Sequence, residues 1–248
     1  MELNLVTLPL ILLAGTAAGF FNVVAGGGSL LTVPVLIFAG LPPVAANGTN
    51  RIAILSQNVM AVSRFKSKGL FPWRAGLILG LAASAGALVG SSIAVEISGE
   101  LFKRFLSLVM ILVLILTLTG KRRNDSQSSE IKRWYLLIPA FFLVGIYGGF
   151  IQAGTGFIII AAFSLISGTS LLHTNVVKVM IILIYTIPSL IIFILNGQVV
   201  WIAGIVMALG NVCGAWLGAK MSIEKGDKWI RIILVVAVLS MAIKLLIG

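Results

Sequence analysis

The chain has 248 residues, of which 59% are hydrophobic and 10% charged, with a net charge of +11 and a mean hydropathy of +1.14. Soluble domains carry about 25% charged residues, so this composition excludes a soluble globular domain. Residues 3–50, 134–177 and 179–219 contain no charge, and each run can supply at least one helix across a hydrocarbon layer of ~30 Å. The sequence therefore predicts an all-α polytopic membrane protein.

Positive charge is concentrated in the segments that connect the apolar runs, at Arg64–Arg74, Lys121–Arg133 and Lys220–Arg231. This distribution is typical of cytoplasmic loops, whereas a nucleic-acid-binding face needs a soluble surface to carry it. We therefore expect a lipid bilayer as partner and no nucleic acid. The single cysteine, Cys213, excludes a disulfide framework and a cysteine-based metal site, and we expect neither a metal nor a cofactor.

Apolar segments predict five helices in the first half of the chain, over 8–24, 29–40, 44–65, 74–95 and 102–120. Their counterparts lie 128 residues later. The second segment has about 12 residues and would rise only ~18 Å, which is too short to cross the membrane. We therefore predict that the first two segments form a glycine-broken re-entrant pair, followed by about three full transmembrane helices. Three crossings in a locally thinned bilayer are the alternative.

These counterparts belong to an internal repeat, because matching residues recur at one offset without a gap. The matching pairs are Ala25/Ala153, Gly26/Gly154, Gly28/Gly156, Gly40/Gly168, Asn47/Asn175, Gly69/Gly197, Trp73/Trp201, Gly76/Gly204, Gly86/Gly214 and Gly90/Gly218. The chain thus divides into a first transmembrane repeat (1–120), a polar cytoplasmic linker (121–136) and a second transmembrane repeat (137–248). Glycines predicted to permit close helix packing are Gly76, Gly80, Gly86, Gly90, Gly204, Gly214 and Gly218.

Equivalent loops of the two repeats carry different charge. The loop near residue 68 is basic and its counterpart near 196 is uncharged, whereas the loop near 98 is neutral and its counterpart near 225 has a net charge of +2. The positive-inside rule then places the loops near 68, 127 and 225 in the cytoplasm and those near 98 and 198 outside. This pattern predicts repeats of inverted topology with a substrate site near the midplane. Parallel duplication is the alternative.

Two glycine-rich stretches interrupt the apolar runs: Gly26–Ser29, and Gly154–Gly156 preceded by Gln152. Three consecutive glycines cost roughly 2–3 kcal/mol in a helix relative to alanine. Broken backbone within a membrane must face protein or a water-filled cavity, and a helix that restarts there offers its N-terminal amides to an anion. A phosphate-binding loop is the rival interpretation, but no Gly-Lys-Ser/Thr follows either stretch.

After each break, one cation lies in an otherwise uncharged region. Arg51 and Lys178 lie one position apart in the repeat register, beside Asn47 and Asn175. A cation within the membrane is costly and marks a functional site, although snorkelling to the headgroups is an alternative for both. We expect the two cations, polar side chains and backbone amides to surround one small oxyanion. The predicted substrate-binding residues are Gly26, Gly27, Gly28, Ser29, Asn47, Thr49, Asn50, Arg51, Gln152, Gly154, Thr155, Gly156, Asn175 and Lys178.

Every carboxylate of the sequence maps to a terminus or a loop, so we expect none within the membrane to carry protons or bind sodium. His173 is a candidate for proton coupling, with capping or packing as the alternative. An anion that leaves a negative cytoplasm gains about 2.3 kcal/mol per charge and 100 mV, so we expect efflux driven by the membrane potential. Paired membrane acids and an HExxH motif are absent from the sequence, which disfavours an enzyme; an anion channel is a further alternative.

The stretch Ala25–Pro34 (AGGGSLLTVP), followed by Gly40, Pro42 and Ala46–Asn50 (ANGTN), resembles the signature of the TauE/SafE family of sulfite exporters. The resemblance spans essentially the whole chain. It implies an inner-membrane permease that exports sulfite, sulfoacetate or another small organic anion, and it leaves homodimer formation open.

Overall fold

The computed structural model describes residues 7–24, 26–108, 133–167 and 169–247. Within these ranges the chain forms nine α-helices and no strand, which confirms the all-α prediction. In chain order the helices are α1 (Thr7–Val24), α2 (Ser29–Phe38), α3 (Pro43–Lys66), α4 (Trp73–Glu96), α5 (residues 99–108), α6 (Trp134–Phe150), α7 (Thr155–Ile166), α8 (Leu171–Leu195) and α9 (Trp201–Ile247). The predicted helix beyond residue 108 and most of the predicted linker lie outside the described residues.

Local sequence signals explain where several helices begin and end. α1 ends at Val24, just before Gly26, whose φ of +90° strongly favours glycine. Pro43 is the first residue of α3, a position where its missing N–H removes no intrahelical hydrogen bond. Ser170 caps α8, because its side-chain oxygen accepts the backbone N–H of His173 at 3.2 Å.

α9 is one continuous helix of 47 residues, whereas the repeat predicts two helices separated by a loop near residue 225. That prediction is wrong. The segment between the two predicted helices contains no proline and only an isolated glycine. Lys220 and Glu224 form an i,i+4 ion pair at 4.0 Å where this segment begins. The part Trp201–Lys225 is long and apolar enough to span a membrane.

Three further helices, α1, α4 and α8, have the length and apolar character of membrane spans. α3 has 24 residues, the same length as α4, but it carries a buried polar face. That face consists of Asn47, Asn50, Arg51, Gln57 and Asn58. Because these side chains are buried, α3 presents its polar face to other helices rather than to lipid.

Helices of the first half of the chain pack against helices of the second half in matching pairs. α1 packs along α9 as α6 packs along α4, and α3 contacts α9 as α8 contacts α4. Small residues permit the closest contacts: Gly214 lies against the carbonyl oxygen of Thr16, and Gly86 against that of Phe142, with no room for a Cβ at either glycine. The packing role predicted for these two glycines is confirmed.

α3 and α8, which are counterparts in the repeat, run antiparallel. Gly48 near the start of α3 lies against Phe193 near the end of α8. Phe65 near the end of α3 shares a hydrophobic cluster with Val176 near the start of α8. The helices α3 and α8 therefore run through the bundle in opposite directions.

Candidate functional site

The two glycine-rich breaks meet inside the bundle. Gly26 packs directly against Gly156, and a Cβ on Gly26 would lie only 2.6 Å from the Cα of Gly156. Gly154, which precedes α7, has a φ of +75°. All fourteen predicted substrate-binding residues are buried.

Arg51 is fully buried in α3 and binds the end of the interrupted helix α6. Its Nη1 donates to the carbonyl oxygen of Gly148 at 3.2 Å and to Gln152 Oε1 at 2.6 Å, and its Nη2 donates to the carbonyl oxygen of Gly149. Its guanidinium carbon lies 4.5 Å from the centre of the Phe193 ring. With 0% of its surface exposed, Arg51 does not snorkel to the headgroups.

Gln152 links Arg51 to a third helix. It has a φ of +64°, which non-glycine residues seldom adopt. Its Oε1 accepts from Arg51, and its Nε2 donates to Thr186 Oγ1 of α8 at 3.2 Å. The hydroxyl of Thr155 donates to the backbone carbonyl of Gln152 at 2.7 Å. These contacts fix the second break between α3 and α8.

Lys178 of α8 makes the corresponding contact with the end of α1, the helix that precedes the first break. Its Nζ donates to the carbonyl oxygens of Asn22 and Val23, at 3.0 and 3.1 Å, and its side chain is fully buried. The last carbonyls of a helix lack intrahelical partners and form the negative end of the helix dipole. Arg51 therefore binds the C-terminus of α6, and Lys178 binds the C-terminus of α1.

The carbonyl groups that accept hydrogen bonds from Arg51 and Lys178 carry no formal negative charge. The described carboxylates whose side chains are placed, Glu96, Glu100 and Glu224, are all exposed. Within the described part of the chain, neither buried cation forms an ion pair. The carbonyl partners were not predicted from the sequence.

Polar side chains beside Lys178 form an amide cluster, which we define as Asn22, Ser29, Gln57 and Asn211. Gln57 Oε1 accepts from Asn211 Nδ2 at 2.9 Å and from Asn22 Nδ2 at 3.3 Å, and Asn22 Oδ1 accepts the backbone N–H of Ser29 at 3.3 Å. The Ser29 amide, at the start of α2, already has a side-chain partner. The amide cluster thereby holds the first break against α3 and α9.

Gln57, Asn211 and Thr186 were missed as site residues by the sequence analysis. A usable signal existed for Gln57, because it lies seven residues after Asn50 and therefore on the same face of α3. Asn211 and Thr186 are isolated polar residues in apolar helices, and only the packing of α9 and α8 against the breaks identifies their partners.

Other predicted residues contact helices rather than the breaks. Asn47 Nδ2 donates to the carbonyl oxygen of Phe150 at 2.9 Å, at the end of α6. Thr49 Oγ1 accepts the backbone N–H of Val200 at 2.9 Å, and Asn175 Nδ2 donates to Ser222 Oγ at 3.5 Å. The structure thus brings Asn47 to the end of α6. Thr49 contacts the segment just before α9, and Asn175 contacts α9 itself.

Asn50 differs from all these residues, because both atoms of its side-chain amide lack a hydrogen-bond partner although 0% of the residue is exposed. Arg51 Nε, on the neighbouring residue, is also buried without a partner. Burying a polar group without a hydrogen bond costs about 1–3 kcal/mol. Two adjacent residues therefore retain unused donors in the interior.

His173 is half-buried near the start of α8, and its Nε2 has no hydrogen-bond partner. Its backbone N–H is capped by Ser170. The described residues contain no group of three or more His, Cys, Asp or Glu that could hold a metal ion. The chemistry available at the breaks is therefore that of amides, hydroxyls and two cations.

Comparisons with known proteins identify the family. The family model "Sulfite exporter TauE/SafE" matches residues 11–245. "Probable membrane transporter protein ORF9" of Sinorhizobium sp. is 28% identical over 240 residues, covering 96% of this chain and 92% of that protein. A "Probable membrane transporter protein" of Haemophilus influenzae is 29% identical over 247 residues, covering 99% and 96%. "Probable membrane transporter protein YfcA" of Escherichia coli K12 is 28% identical over 232 residues, covering 92% and 86%.

No solved structure matches the chain. The family match covers nearly the whole sequence, and the relatives are named as membrane transporters, not as enzymes. Together with the apolar helices long enough to cross a bilayer, these matches establish that the chain belongs to the TauE/SafE sulfite exporter family and is a multi-pass membrane transporter.

Proposed function

We propose that the protein is a permease that exports a small sulfur-containing oxyanion, such as sulfite, sulfoacetate or a related organosulfonate, across the inner membrane. The observation that carries the proposal is the contact between the two breaks at Gly26 and Gly156, flanked by the buried cations Arg51 and Lys178. Buried cations without an acidic partner favour an anionic ligand. The sulfur chemistry rests on the family description alone.

The proposed architecture consists of two inverted repeats, in which α1–α2 and α6–α7 are re-entrant pairs. α2 and α7 have 10 and 12 residues and rise about 15–18 Å, which is too short to cross a core of ~30 Å. The antiparallel course of α3 and α8 supports the inversion. In this arrangement the breaks lie near the membrane midplane, where inverted-repeat transporters bind substrate.

Within the site, we assign hydrogen-bond donation to side chains whose donors are unused. Arg51 Nε and the Asn50 amide are buried and lack partners, so an anion would satisfy groups that the protein leaves unsatisfied. The N-termini of α2 and α7 add a favourable electrostatic field, since each helix start is equivalent to roughly half a positive charge. Gly26–Ser29 and Gly154–Gly156 surround the same contact and complete the proposed site.

The driving force that we propose is the membrane potential. None of the described carboxylates with placed side chains is buried, so a carboxylate relay for protons or sodium has no support there. The export of each negative charge from a cytoplasm at −100 mV gains about 2.3 kcal/mol. A coupled mechanism through His173 is the competing proposal.

The test uses the full chain in proteoliposomes loaded with radiolabelled sulfite, with a potassium diffusion potential set by valinomycin and no pH gradient. We expect saturable efflux that accelerates when the interior is negative, and counterflow of labelled substrate. Empty liposomes and a chain with Arg51→Ala are the controls.

Each outcome has a separate meaning. Absence of sulfite and sulfonate flux would contradict the substrate assignment. Flux that does not change when the potential is clamped at zero would contradict the driving force. Flux that neither saturates nor shows counterflow would indicate a channel with a continuous pore.

A further inference from the structure

Arg51 and Lys178 lie at different depths of the bundle. The guanidinium of Arg51 lies 4.5 Å from the ring of Phe193, near the end of α8. Lys178 precedes Phe193 by 15 residues in the same helix, which at ~1.5 Å per residue corresponds to roughly 22 Å. That length is most of a hydrocarbon core of ~30 Å.

The two side chains also point away from each other. A helical side chain tilts toward the N-terminus of its own helix, and α3 and α8 are antiparallel. The acceptors agree with this direction, because Arg51 binds the end of α6 and Lys178 binds the end of α1. A sulfite or sulfonate group, which is only a few bond lengths across, cannot contact both cations.

The contact between Gly26 and Gly156 links the two breaks, and each cation binds one of these breaks on the side that precedes the glycine. Lys178 binds Asn22, four residues before Gly26, and Arg51 binds Gln152, four residues before Gly156. A Cβ on either glycine would overlap the other. The contact therefore separates the surroundings of Lys178 from those of Arg51.

Each side retains donors that the protein does not use. Beside Arg51, these are its own Nε and the Asn50 amide. Lys178 has three N–H donors and binds two carbonyl oxygens. Each cation keeps a net positive charge, since its partners are neutral.

We propose that one chain binds two anions in series, one at Arg51 and one at Lys178, on opposite sides of the Gly26–Gly156 contact. This inference rests on the proposed function and replaces a single shared position by two subsites. Two weakly held ions in a row let the arrival of one promote the departure of the other, as in multi-site conduction.

The test is the stoichiometry of radiolabelled sulfite bound at saturation to the purified full-length protein, measured by equilibrium dialysis. We expect two sulfite ions per wild-type chain, one in Arg51→Gln, one in Lys178→Gln and none in the double variant. The control Lys68→Gln changes an exposed cation in the loop after α3 and is expected to retain two.

The wild-type measurement decides the matter even if a variant fails to fold. A stoichiometry of one overturns the two subsites and leaves the proposed permease intact, as does the loss of all binding in either single variant that is folded. A wild-type protein that binds no sulfite overturns both the two subsites and the proposed substrate. A stoichiometry of two that falls to one in each folded variant supports the inference.

Discussion

The contact between the two breaks makes Gly26→Ala the most informative single substitution. Gly26 has a φ of +90° and its missing Cβ would lie 2.6 Å from the Cα of Gly156. Gly40 provides a matched control, because it has a φ of +93° and nothing lies within 4 Å of its missing Cβ. The two substitutions impose the same backbone strain, and only Gly26→Ala forces the breaks apart.

The expected losses of unfolding free energy follow from the backbone strain and from the overlap of the new methyl group. A left-handed conformation costs a non-glycine residue roughly 1–2 kcal/mol, which applies to both variants. Inserting a methyl group into a packed contact adds typically 1–3 kcal/mol, which applies to Gly26→Ala alone. We therefore expect Gly40→Ala to lose about 1–2 kcal/mol of unfolding free energy and Gly26→Ala about 2–5 kcal/mol.

The assay compares the apparent melting temperatures of both purified variants with their sulfite flux in proteoliposomes. For a chain of this size, 1 kcal/mol corresponds to a shift of about 2–4 °C. Gly26→Ala should show the larger drop and lose transport, whereas Gly40→Ala should keep transport. Equal melting temperatures and equal flux in the two variants would refute the reasoning that the breaks are in functional contact.

Three further substitutions test the hydrogen bonds around the breaks. Thr49→Val removes the acceptor of the Val200 amide and should cost about 1–2 kcal/mol in unfolding free energy, while Thr49→Ser should not. Gln57→Leu leaves two asparagine amides without their shared acceptor. We expect the unfolding free energy, measured by thermal unfolding, to fall by about 1–3 kcal/mol. An unchanged melting temperature would contradict the amide cluster. Arg51→Lys cannot reproduce three contacts of a planar guanidinium, so sulfite flux should fall at least tenfold, whereas Arg64→Lys, at the end of α3, should keep it.

The all-α class and several helix boundaries could be predicted from composition and from the positions of glycine and proline. The first predicted segment ends at residue 24, as α1 does, and the predicted starts at 29 and 44 agree with α2 and α3 to within one residue. These boundaries are encoded locally, by glycine at Gly26 and proline at Pro43. The loop near residue 225 was wrong because it came from the repeat register, while the local sequence there favours a helix.

The burial of the candidate site residues could be predicted from the sequence, but their contacts could not. Polar residues in an apolar run must be buried against protein, and Arg51, Asn50 and Lys178 are buried accordingly. The partners of Arg51 and Lys178 are mostly backbone carbonyls, at Gly148 and Asn22 among others. Every residue carries such a carbonyl, so the sequence holds no signal for which one a cation will bind.

The carbonyl partners explain why two cations can lie in a membrane protein without acids beside them. Interrupting a helix frees carbonyls at the end of its first part and amides at the start of its second, so each break creates both a negative and a positive helix end. Arg51 and Lys178 each bind one of the negative ends.

A helix C-terminus is equivalent to roughly −0.5 elementary charge, so each cation retains about half of its charge. A carboxylate would have neutralised the cation fully and removed its attraction for an anion, whereas a bare cation would bind an anion too tightly to release it. Partial compensation by a helix end would therefore suit the proposed permease, which binds an anion and then releases it.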